Sequence, residues 1–252
     1  MIHDIVHPTG DPSVSLASYV HDQRPALANV ARRPGVLVLP GGGYEHCSDR
    51  ESEPVALAFA GAGYQSFVLR YSVGQASVWP APLRDAEAAM GSIIENSQRW
   101  GVDVAQIAVI GFSAGGHLAA SLSLLGTVRP ARMMLVYPVI TRETLQVCHP
   151  GVHGAPDLLD AVDESCPPAF LVHTALDDLV PVGDSLAMAQ RLAQAQVPFE
   201  LHVFPEGPHG LALGTHFTST GRPQMAQPSF AGWLPLAIDW LARQFPIGAT
   251  GA

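Results

Sequence analysis

Lysine is absent: all 13 cationic side chains are arginines. A chain without lysine has no Walker A lysine, no Schiff-base lysine and no Ser-Lys dyad, so the reactions built on those groups are excluded together. Cysteine is scarce. Cys47, Cys148 and Cys166 are odd in number and far apart, which implies no disulfide framework. A zinc site assembled from Cys148, His149, His153 and Cys166 matches no common ligand spacing, so no metal is expected. No stretch approaches the roughly 20 apolar residues of a membrane span. The opening residues, "MIHDIVHP", have neither a basic region nor an apolar region of an export signal, and the expectation is a cytoplasmic protein without a membrane partner. Charged residues make up only 14% of the chain, and the net charge of -9 argues against a nucleic-acid partner.

What is present is apolar. Hydrophobic residues are 48% of 252, enough for a large core, and the length suits one α/β domain spanning 1–252. Short runs rich in Val, Ile, Leu, Phe and Tyr fall at Val36–Pro40, Gln65–Tyr71, Ile107–Phe112, Met133–Ile140, Ala169–Thr174 and Phe199–Phe204. Continuous runs such as "MMLVYPVI" suit strands covered on both faces. Helices are expected between them, at Pro54–Ala62, Leu83–Trp100, Leu118–Leu125, Gly183–Ala195 and Trp233–Phe245. The alternation predicts a doubly wound, mainly parallel sheet with helices on both faces, with residues 1–33 adding antiparallel edge strands. Residues 141–168 and 216–232 read as long loops, and loops of that length commonly cover a site.

The chemistry centres on "IAVIGFSAGGHLAA" (107–120), where an apolar strand ends in glycines around one serine and a helix-prone run follows. A sharp strand-to-helix turn needs small neighbours, and Gly111 and Gly115 stand where side chains would collide. This is a G-x-S-x-G nucleophile elbow with Ser113 at its centre. Ala114, opening the helix, offers an N–H to developing negative charge. A serine hydroxyl needs a base, and the base needs an acid, in the chain order Ser, Asp or Glu, His. "FLVHTALDDLVP" places Asp177 and Asp178 just past a strand, one of which can instead cap the helix that follows. "ELHVFPEGPHG" places His209 in a loop past the next strand. His117 reads as packing, His173 as core and His202 as half exposed. "VLVLPGGGYEHCSDRE" (36–51) has the form of a second oxyanion donor, a glycine loop after a strand, with Gly42 and Gly43 as donors within Gly41–Gly43. Tyr44, Trp79 and Trp233 are candidates to stack on a substrate ring, and Tyr44 is taken as a substrate-binding residue.

With these residues in view, the chain resembles the α/β-hydrolase superfamily and, more narrowly, the bacterial acetyl xylan or feruloyl esterase group. The resemblance rests on "PGGGY" at 40–44, Arg50-Glu51, "LRYSV" at 69–73, "WPAPLRD" at 79–85, the elbow, "HTALDDLVP" at 173–181 and "FPEGPHG" at 204–210. It implies the α/β-hydrolase fold, a Ser113–His209–Asp177 triad and hydrolysis of small, acetyl-type esters without cofactor. The family's D-x-x-V-P pattern selects Asp177, with Asp178 as the fallback. Group members that act on plant cell-wall polymer are usually exported, so the missing export signal favours xylo-oligosaccharides or other small esters. An arylformamidase, a peptidase and a non-catalytic binding protein on the same fold are the alternatives.

Overall fold

Side chains on successive strand residues point to opposite faces, and in this chain both faces are apolar. The computed structural model describes residues 1–149, 152 and 154–245. Its strands are β1 (Ile5–Val6), β2 (Ser15–Tyr19), β3 (Arg33–Leu39), β4 (Gln65–Arg70), β5 (Val102–Phe112), β6 (Arg132–Val136), β7 (Ala169–Thr174) and β8 (Phe199–Phe204). They form one sheet in the order β1-β2-β4-β3-β5-β6-β7-β8. From β4 to β8 every pairing is parallel, while β1 and β2 add antiparallel strands at one edge.

The helices are α1 (Glu53–Gly61), α2 (Ala81–Glu95), α3 (Ser97–Trp100), α4 (Ala114–Leu125), α5 (Arg142–Cys148), α6 (Gly183–Gln194), α7 (Pro228–Ala231) and α8 (Trp233–Gln244). One core joins Leu37, Val109, Leu135 and Leu171 to residues of α2, α4 and α6, such as Met90, Leu118 and Met188. The other joins Val38, Ile110, Val136 and Val172 to Phe59 of α1 and to Trp233 and Trp240 of α8. This is the doubly wound, two-sided α/β sheet that a parallel arrangement requires.

Several boundaries differ from the sequence reading: β3 begins at Arg33, β5 reaches back to Val102, and α4 starts at Ala114 rather than Leu118. β6 ends at Val136, not Ile140, because Tyr137 turns to φ 38° and Pro138 has no N–H to give the ladder. The expected Leu83–Trp100 helix starts earlier, at Ala81 with Pro82 inside its first turn, and divides at Asn96 into α2 and α3. Segment 141–168 is not a plain loop: it contains α5, whose Thr141 side chain accepts the Thr144 N–H at 3.2 Å, and a 3-10 turn at Leu158–Ala161. Segment 216–232 likewise holds two 3-10 turns and α7. All are too short for a helical period to show in sequence. No helix among the described residues is long and apolar enough to cross a membrane.

Parallel pairing brings all the relevant strand ends to one edge. Leu39 pairs with Gly111 and Phe112 with Val136, while Thr174 pairs with Phe204. The segments after β3, β5, β6, β7 and β8 therefore leave the sheet side by side, at its carboxyl end, where open α/β sheets hold their ligands.

Candidate active site

Ser113 sits at φ 54°, ψ -118°, a conformation that non-glycine residues adopt only under constraint. The constraint is close packing. A Cβ on Gly111 would lie 2.0 Å from the Gly115 carbonyl oxygen, and one on Gly115 would lie 2.2 Å from that of Leu39. The Ser113 N–H donates to Val136 O at 3.1 Å, while its carbonyl accepts from His117 and Val139. The elbow is thus pinned to β6 and to its own helix, and the hydroxyl is held away from the sheet.

His209 Nε2 lies 2.8 Å from Ser113 Oγ, and its Nδ1 lies 2.8 Å from Asp177 Oδ2. The other Asp177 oxygen accepts the N–H groups of Leu179 and Val180 at 2.9 and 2.8 Å. Burial pushes the Asp177 carboxyl up, but hydrogen bonds from His173 and His209, the charge on His209 and the Leu179 N–H together hold it well below the usual carboxylate range. Asp178 does a different job: its Oδ1 accepts the backbone N–H of His209 at 2.9 Å. Neither aspartate caps α6, whose first turn has no side-chain cap.

His173, expected only as core, is a spacer between strand and acid. Its Nε2–H donates to Val180 O at 3.0 Å and lies 3.5 Å from Asp177 Oδ2, while its Nδ1 accepts from Ser185 Oγ at 2.8 Å. These contacts set its tautomer and brace the loop that carries Asp177.

The glycine loop abuts the elbow, since a Cβ on Gly41 would come within 3.0 Å of Ser113 Cβ. The Gly41 N–H is not a free donor: it goes to Glu51 Oε2 at 2.9 Å. Among the described residues, no acceptor meets the N–H groups of Gly42, Gly43 or Ala114. Gly42 and Gly43 have φ of +125° and +69° and line a cleft of about 930 Å³ that also reaches Ser113, His149, His209 and Arg222.

Two aromatic expectations are corrected. Tyr44 is fully buried, with its hydroxyl 2.8 Å from His117 Nδ1, so its ring cannot stack on a substrate. It anchors the glycine loop to α4 instead. Trp233 is equally buried and donates to Ala212 O, while Trp79 packs edge-on to His117. His117 is packing, as its position suggested, and burial lowers its pKa to about 3. His149 belongs to the zinc set that matches no common ligand spacing. It packs against Gly43 and Tyr44 at the cleft wall, and burial together with nearby His209 lowers it to about 4. Of the other members of that paper zinc site, Cys148 donates to Leu179 O, Cys166 accepts the Asp163 N–H, and His153 lies outside the described residues.

Glu51 and Tyr137 carry no local sequence signal of a role, although Arg50-Glu51 is among the motif pieces of the resemblance. Glu51 is 3% exposed, and its Oε1 accepts the Tyr137 hydroxyl at 2.7 Å.

The BD-FAE family profile matches residues 24–135, and the Dienelactone hydrolase family profile matches residues 81–222, more than half of the chain. An acetylxylan esterase of Xylanibacter ruminicola is 28% identical over 204 residues, covering 72% of this chain and 42% of that protein. The chain spans between about a third and a half of the length of the curated relatives it matches first. Among solved structures, MGS-M1, an α/β hydrolase from a Medee basin deep-sea metagenome library, superposes with a TM-score of 0.90 at 40% identity, covering 96% of this chain and 97% of that one. An acetyl ester-xyloside bifunctional hydrolase from Caldicellulosiruptor lactoaceticus superposes at 0.79 with 33% identity, covering 95% and 91%.

Proposed function

The chain belongs to the α/β hydrolases, within the reach of the dienelactone hydrolase family, and from that premise we propose that it is a serine carboxylesterase releasing small acyl groups, acetyl foremost, from xylo-oligosaccharides or related carbohydrate esters. The observation that carries the reading is the unbroken line from the Ser113 hydroxyl through both nitrogens of His209 to Asp177, with 2.8 Å at each step. The acetyl and xyloside preference is carried over from the names of two relatives, the acetylxylan esterase and the acetyl ester-xyloside hydrolase.

In the proposed reaction, Ser113 Oγ attacks the ester carbonyl carbon while His209 Nε2 takes its proton. Asp177, held ionised, stabilises the imidazolium through Nδ1–H and keeps the ring in the productive tautomer. The carbonyl electron pair moves to oxygen, where the N–H groups of Gly42, Gly43 and Ala114 are the donors. The tetrahedral intermediate collapses, the C–O bond to the leaving alcohol breaks, and His209 returns the proton to that alcohol. Water then repeats the sequence on the acyl-enzyme and frees the acid. Every group needed is a side chain or a backbone N–H, so the scheme calls on no cofactor. We take residues 1–252 as one catalytic domain. Segments 141–168 and 216–232 supply Cys148, His149, Arg222 and Met225 to the cleft walls, and we assign them the role of its cover.

Ser113→Ala should lower turnover of p-nitrophenyl acetate by about four to six orders of magnitude. A purified, folded variant at near wild-type rate ends the reading. A panel of acetylated xylobiose, a feruloyl ester, formylkynurenine and an aminoacyl anilide should show the highest kcat/KM on the acetylated sugar, and preference for either amide would replace the carbohydrate-ester assignment.

A further inference from the structure

The buried carboxylate of Glu51 joins two loops that the proposed reaction uses separately. Its Oε2 accepts the Gly41 N–H at 2.9 Å, and its Oε1 accepts the Tyr137 hydroxyl at 2.7 Å. The Tyr137 oxygen in turn accepts the Ala212 N–H at 2.8 Å, three residues beyond His209. The Tyr137 ring also packs edge-on to the His209 ring, with centroids 5.0 Å apart at 68°. We propose that Glu51 is a positioning residue that locks the oxyanion loop and the histidine loop together, so that donor geometry over Ser113 depends on its carboxylate. The inference rests on the serine-esterase reading.

The bond directions require an acceptor there. The N–H groups of Gly41 and Ala212 can only donate. With one lone pair facing Ala212, Tyr137 passes its single proton on. The group where the two chains meet accepts on each of two oxygens, which a carboxylate does and an amide, with one oxygen and one NH₂, does not. Among the described residues, Glu51 has no ion-pair partner, because neighbouring Arg50 turns away to Gly210 O at 2.7 Å and Thr218 O at 3.3 Å. A buried carboxylate without a counter-charge is costly unless hydrogen-bonded, and here the Gly41 N–H and the Tyr137 hydroxyl supply those bonds. Arg50 nevertheless ties the same histidine loop from its other side.

Local strain agrees. Of the six described non-glycine residues with positive φ, four are Tyr44, Ser113, Tyr137 and Ala212. Such conformations persist where the surroundings over-determine them. Tyr137 and Ala212 are bonded to each other and, through the hydroxyl, to Glu51. With Gly41 engaged by Glu51, the loop N–H groups that meet no acceptor among the described residues are the next two, those of Gly42 and Gly43, which line the cleft.

The test compares wild type, Glu51→Gln, Tyr137→Phe and Ser113→Ala with p-nitrophenyl acetate and with an aryl trifluoromethyl ketone that forms a tetrahedral adduct on the serine. Glu51→Gln should lower kcat about 30- to 100-fold with KM within about threefold, the pattern of misplaced transition-state donors. Affinity for the ketone should fall in parallel with kcat/KM. Tyr137→Phe, which spares the Gly41 bond, should lose less. A folded Glu51→Gln with kcat and ketone affinity within about twofold of wild type overturns the proposal, as does a loss confined to KM. Should Glu51→Gln fail to fold, unchanged kcat and ketone affinity in Tyr137→Phe overturn it equally. If wild type hydrolyses no ester, or Ser113→Ala matches it, the esterase reading fails separately. The coupling is then read by amide hydrogen exchange at 41–44 and 209–212, which Glu51→Gln, or Tyr137→Phe in its place, should accelerate in both segments together; unchanged exchange overturns the lock.

Discussion

Asp177 and Asp178 are adjacent in sequence and yet hold different parts of one histidine. Asp177 takes the ring nitrogen and Asp178 the backbone N–H. Their amide variants should therefore separate. Asp177→Asn keeps the shape but presents an N–H₂ or a neutral oxygen to Nδ1, and kcat should fall by about 10³- to 10⁴-fold. Asp178→Asn keeps an acceptor for the His209 N–H and should cost no more than about tenfold, in line with one weakened charge-assisted bond. Steady-state kinetics of the two purified variants decides, and equal losses would remove Asp177 from its privileged place. The same residue bears on pH. Because the Asp177 carboxyl is held low by its hydrogen bonds, it stays ionised through mildly acidic solution, and the acid limb of kcat/KM above pH 5 belongs to another group.

At the scale of an element, the elbow is a problem of space. Gly111 is the last β5 residue but one, and a methyl there would overlap the Gly115 carbonyl at 2.0 Å, a backbone atom that cannot swing aside. Gly111→Ala should either prevent folding or displace α4 and Ser113, with a loss of stability of about 3 kcal/mol or more, in the range of severe overpacking. Urea denaturation and the rate of fluorophosphonate labelling test the two outcomes. A soluble Gly111→Ala with wild-type midpoint and labelling rate would contradict the packing account. The same crowding explains why the helix starts immediately after the serine: the backbone has no slack between Val136 O, which holds the Ser113 N–H, and the first turn of α4.

For the whole molecule, the buried histidines link stability to pH. His117 is fully buried between Tyr44 and Trp79, and His149 lies between Gly43, Tyr44 and the charge of His209; burial lowers them to about 3 and about 4 from an unfolded value of 6.5. Folded pKa values below unfolded ones mean that the unfolded chain binds more protons as pH falls. The stability held above pH 6.5 is thus lost on acidification toward pH 4, by about 1.4 kcal/mol per pH unit for each ring. Thermal melts from pH 7.5 to 4.5 should show Tm falling steeply, and His149→Gln should flatten the slope by about one proton. An unchanged slope in that variant would place the acid sensitivity elsewhere.

How much of this was legible in the sequence depends on the range over which each constraint acts. The elbow and the alternating apolar strands were readable because their causes lie within a few residues: a crowded turn demands Gly111 and Gly115, and a two-sided sheet demands continuous apolar runs. The order Ser113, Asp177, His209 was readable because parallel strands must all end at one edge. The short helix α5 was not, because seven residues carry no period. Tyr44 was misread for a reason of direction: a strand-loop aromatic points to the cleft or to the core according to which neighbour meets its hydroxyl, and His117, 73 positions away, meets it. Glu51 is the plainest case. Composition and motif set an Arg-Glu pair after the glycine loop, but its role depends on two donors, Gly41 and Tyr137, that only the pairing of β3, β5 and β6 brings to the same carboxylate. Local sterics and hydrophobic period are written along the chain, whereas the direction of a buried hydrogen bond is decided by which distant group folding places opposite it.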